Sequence, residues 1–83
     1  MDIYLIVTRS ITQAQQMQRV LLRAGLSSQI IRGHRAIMQG GCGYTVQVAG
    51  WDAAAAAEAL RQAQLRPERI YRYQNGLYQE VVL

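Results

Sequence analysis

The chain has 83 residues, of which 51% are hydrophobic, with a net charge of +4 and a single cysteine. One cysteine rules out an intramolecular disulfide, and with one histidine a Cys/His zinc site would have only Cys42 and His34 to draw on. No apolar run is long enough to span a bilayer and no basic region precedes an apolar stretch as in a secretion signal. A free thiol in such a chain sets the expectation of a reducing cytoplasm.

Residues 3–8 (Ile-Tyr-Leu-Ile-Val-Thr) form a continuous β-branched and aromatic run, which predicts a strand buried on both faces. Ser10 is placed as the N-cap of a helix, with Gln13 three residues later as the other half of a capping box. Ile11, Ala14, Met17, Leu21 and Ala24 then recur at helical spacing, and Gly25 ends the helix. Residues 26–32 predict a second strand centred on Ile30 and Ile31. Residues 33–41 are expected to form a loop.

Tyr44 to Ala49 alternates in polarity and predicts a half-buried third strand. Gly50 and Trp51 make a turn, Trp51 is read as a hydrophobic staple, and Asp52 is read as the cap of a second helix. That helix, over residues 53–64, places Ala53, Ala56, Leu60 and Ala63 on one face, with Pro67 as its stop. A fourth strand covers residues 69–73, Asn75-Gly76 is a strong two-residue hairpin signal, and a last strand returns over 77–83. The order is βαββαβ with an added C-terminal hairpin strand. It predicts an α+β, ferredoxin-like sandwich formed as a single domain over residues 1–83.

The candidate chemistry centres on Gly40-Gly41-Cys42-Gly43. Glycines leave little side chain to cover a thiol and let another backbone approach closely. Cys42 can therefore be presented to a partner; the alternative is a small buried hydrophobe. The thiolate is the reactive form, and nearby cations favour it. Arg32, His34 and Arg35 are the candidates to supply that charge. His34 can also be read as a base or ligand, though a solvated loop histidine is the simpler reading.

All nine basic residues are arginine, which fits either an anionic partner or the codon usage of a GC-rich genome. On the fourth strand Arg69, Tyr71 and Tyr73 share one face, with Ile70 and Arg72 on the other. Aromatics interleaved with arginine can stack bases. The glycine-aromatic signature of RNA-recognition sheets is absent, so nucleic acid is disfavoured as a partner. Five scattered acids supply no carboxylate pair, no Ser-His-Asp order is found, and a heavy-metal carrier of this fold would need a second cysteine.

The chain resembles the putative selenium/sulfur carrier protein-like family over nearly its whole length. The resemblance rests on Tyr4-Leu5-Ile6-Val7 followed by Arg9-Ser10, a helix ending at Ala24-Gly25, the Gly41-Cys42-Gly43 element leading into a strand, and a late strand around Ile70-Tyr71. One departure is the absence of a proline from residues 33–39. The resemblance implies a carrier protein rather than a self-contained enzyme, with Cys42 holding a persulfide or selenopersulfide. Its implied partners are a sulfur- or selenium-donating enzyme and an acceptor protein, with no cofactor. Homodimerisation through a strand edge is a further expectation. The alternative is a small-ligand- or RNA-binding regulatory module of the same fold, with Cys42 structural.

Overall fold

The apolar run at the start of the chain becomes the centre of the sheet. In the computed structural model, which describes residues 2–32 and 43–82, β1 (Ile3–Thr8) pairs with β3 (Tyr44–Ala49) on one side and β4 (Arg69–Gln74) on the other. Adding β2 (Gln29–Arg32) and β5 (Leu77–Val81) gives one five-stranded sheet in the order β2-β3-β1-β4-β5. Every pairing is antiparallel. Residues Leu5 to Thr8 are buried without interruption, as expected for a central strand whose both faces are covered.

The helices α1 (Ile11–Arg23) and α2 (Ala53–Gln62) pack on one face of the sheet. Ala14, Met17 and Leu21 of α1 and Ala56 and Leu60 of α2 join Ile6, Val46 and Val48 in a single apolar cluster. Burying large side chains there contributes about 1.5–3 kcal/mol each. Small residues on α2 let its backbone lie close to the strands. On the opposite face Leu5 and Val7 are buried with Ile3 and Tyr71 packed against them. The α+β reading agrees with the sequence, and the middle of each expected helix face is buried, but its end residues Ile11, Ala24 and Ala63 are exposed where the chain leaves the sheet.

Differences from the expected elements lie at their ends, and each has a local cause. The Ser10 hydroxyl accepts from the Gln13 amide at 3.1 Å, but the Gln13 side chain donates to the Arg66 carbonyl rather than back to the cap. Only half of the capping box forms. Leu26 is not in β2, because its N–H bonds to the Leu21 carbonyl at 2.8 Å and so completes the turn that closes α1 at Gly25 (φ 80°).

The same closure repeats on α2. Gln64 takes φ 59°, its N–H meets the Arg61 carbonyl, and the Leu65 N–H meets the Leu60 carbonyl at 2.9 Å. Paired bonds of this kind define a Schellman motif, so α2 ends at Gln62, well before Pro67. At the start of α2, Asp52 makes no side-chain cap bond and lies in a 3-10 turn over Gly50–Asp52. Trp51 is 73% exposed and staples nothing. Gly50 is required there, since an added Cβ would meet Asp2 at 2.7 Å. Asn75 and Gly76 both have positive φ, 54° and 78°, and close the β4–β5 hairpin in the two-residue form read from the sequence.

Candidate functional site

Antiparallel pairing gathers particular chain segments at one end of the sheet. Thr8, the last residue of β1, lies opposite Tyr44, the first of β3, which in turn lies opposite Arg32, the last of β2. α1 begins at this same end, three residues beyond Thr8. The start of β4 joins it, because the Glu68 N–H donates to the Val7 carbonyl at 2.7 Å. Gly43, immediately before β3, is buried.

Two of the seven predicted site residues fall within this description. Arg32 is exposed at the end of β2, and its guanidinium has no ion pair among the described residues. Gly43 is the point where the chain re-enters the described structure. Cys42, Gly40, Gly41, His34 and Arg35 lie outside the described residues.

Arg9 is a charged neighbour that the sequence reading left without a role. It leaves β1 at this end of the sheet and grips Glu68 through both carboxylate oxygens, at 2.8 and 3.0 Å. The hydrogen bond from Arg9 holds the Glu68 carboxyl below its ordinary range, and the same bond raises Arg9. Placing Arg9 here needs the strand order, since nothing local in the sequence says that residues 9 and 68 meet. The hydroxyl of Thr8 donates to the Ser10 carbonyl at 3.1 Å and steadies the exit from β1 into α1. This end of the sheet thus combines the exposed Arg32, without an ion pair among the described residues, with the N-terminus of a thirteen-residue helix. Features of this kind favour a thiolate over a thiol, while the charge of Arg9 is balanced by Glu68.

The tyrosine–arginine face of β4 is occupied by internal contacts. Tyr73 and Tyr78 stand across the hairpin with ring centroids 4.7 Å apart and planes tilted by 47°. Arg69 donates to the Tyr71 hydroxyl at 3.4 Å, and Tyr71 packs on Leu5 and Val7. Beside them Thr45 is fully buried, with no hydrogen-bond partner for its hydroxyl among the described residues. Among the described residues no group of three His, Cys, Asp or Glu side chains could hold a metal ion, and no helix is long and apolar enough to cross a membrane.

No curated protein matches this chain. A family model described as putative Se/S carrier protein-like matches residues 3–72, from the first strand into the fourth, and takes in the whole β2–β3 connection. The chain belongs to the putative Se/S carrier protein-like family.

Proposed function

We propose that the protein is a thiol carrier in which Cys42 accepts a sulfur or selenium atom from a donor enzyme and passes it to an acceptor protein. The reading rests on the family match, which spans the only cysteine of the chain. In the loading step the Cys42 thiolate attacks the outer sulfur of the donor's persulfide. A new S–S bond forms on Cys42, the donor's S–S bond breaks, and the donor leaves as a thiolate. Unloading is the same exchange with an acceptor thiolate as nucleophile, so no external oxidant or reductant is consumed. Selenium follows the same course as a selenopersulfide.

The protein's own contribution is to keep the thiol ionised and accessible. Gly40, Gly41 and Gly43 leave room for a partner's cysteine, and Arg32, His34 and Arg35 supply positive charge. Arg9 and the start of α1 lie at the same end of the sheet as Arg32 and Gly43. A ferredoxin-like arrangement within a single domain is supported by the order β2-β3-β1-β4 with both helices on one face. The protein works in the cytoplasm, as a carrier rather than a self-contained enzyme. It pairs with a second copy along an edge strand, β2 or β5.

The test is the alkylation rate of Cys42 against pH, with intact-mass readout after incubation with a cysteine desulfurase and cysteine. The expected midpoint lies well below the roughly 8.5 of a free cysteine, with a sulfur-sized mass gain that Cys42→Ser abolishes. A thiol that reacts only in the unfolded protein removes the proposal.

A further inference from the structure

The sheet extends beyond its helical layer on one side. α2 covers β1 and β3, while β4 and β5 run out past it, and the space left between holds a cavity of about 520 Å³. Its interior is apolar, with Ile6, Leu60, Leu65, Ile70 and Val81 among its walls. That volume falls in the range of small-molecule sites, which are apolar inside with a few polar groups fixing orientation.

The polar groups here are at the rim, and their pairing leaves one charge over. Arg61 is held by Glu58, and Glu68 is held by Arg9. Arg69 donates to the Tyr71 hydroxyl at 3.4 Å, on the face of the sheet away from α2. Arg66 alone of the rim arginines has no side-chain partner among the described residues, although its carbonyl is fixed by the Gln13 side chain at 2.9 Å. One unneutralised cation over an apolar chamber matches a ligand with one negative charge and an apolar body. The Glu68 carboxylate on the same rim disfavours a dianion such as a phosphate ester.

We infer that this cavity binds an aliphatic monocarboxylate, its chain between α2 and the β4–β5 hairpin and its carboxylate on Arg66. The site is formed by residues 4–6 and 48–82 and does not depend on Cys42 or on sulfur transfer. The chain therefore has two separable binding functions, and each can fail without the other.

The probe is sodium octanoate below its micellar concentration, titrated into the full-length protein and followed by amide chemical shifts and calorimetry. Saturable one-to-one binding is expected, with shifts concentrated at Leu60, Leu65, Ile70 and Val81. 1-Octanol and acetate, each lacking one half of the ligand's chemistry, should both bind at least about tenfold more weakly, the loss of one charge-assisted contact or of the buried chain. Arg66→Gln, a change at an exposed position, should weaken octanoate about tenfold without altering the melting temperature. Ala57→Phe, which fills the chamber from α2, should remove binding. Repeating the titration on Cys42→Ser should give the same affinity. No saturation below millimolar octanoate, equal binding of octanol, or an unchanged affinity in Arg66→Gln would each overturn the assignment.

Discussion

Arg9 and Glu68 illustrate how a surface contact can define a site without contributing much to stability. Both are solvent-exposed, and exposed ion pairs are weak and screened by salt. Their role is positional, since the bidentate grip ties the exit of β1 to the entry of β4. Because Glu68 is depressed in the folded protein, chiefly by the hydrogen bond from Arg9, its stabilising effect is complete above the ordinary carboxylate range. It is lost as pH falls through the folded-state value. Comparing the urea midpoints of the wild type and Glu68→Gln should therefore give a small deficit for the variant at pH 7 that closes below the carboxylate range. A deficit that persists at low pH would assign the effect to packing instead.

At the scale of elements, periodicity made every strand and helix legible and gave β1 and β3 their observed limits. The hairpin was readable too, because Asn75-Gly76 is a conformational requirement written in two residues. What the sequence left hidden were helix ends determined by backbone geometry. Nothing marks Gln64 as the left-handed residue that closes α2, since glycine usually occupies that position, as Gly25 does in α1. Pro67 is the louder signal and lies three residues too late. A left-handed conformation costs a non-glycine residue about 1 kcal/mol. Gln64→Gly should accordingly raise stability by about that amount, visible as a higher thermal midpoint. A drop would mean that the glutamine side chain supports the turn in some other way. Asp52 and Trp51 were misread for a related reason: a 3-10 turn ahead of α2 displaces the cap geometry that their residue types imply. The candidate site was legible as a list of residue types around Cys42. Its neighbourhood was not, because Arg9, Arg32 and Glu68 are assembled by the strand order.

Seen whole, the molecule places its first strand in the middle of its sheet. Ile3 lies opposite Ala49 on one side and Tyr73 on the other, so β1 is completed only by the last third of the chain. During synthesis the most apolar strand emerges first and stays without its second neighbour until β4 has left the ribosome. Pairings so distant along the chain are slow to close, which places mixed α and β domains of this kind between fast helical bundles and slow all-β folds. A polypeptide ended at Leu65, which retains both helices but not β4, should show no amide protected from hydrogen exchange in β1, whereas protection there would mean that β1 and β3 suffice as a nucleus. A strand that waits this long for its second neighbour is an unpaired apolar edge during folding, and that exposure to aggregation is built into the order of the strands.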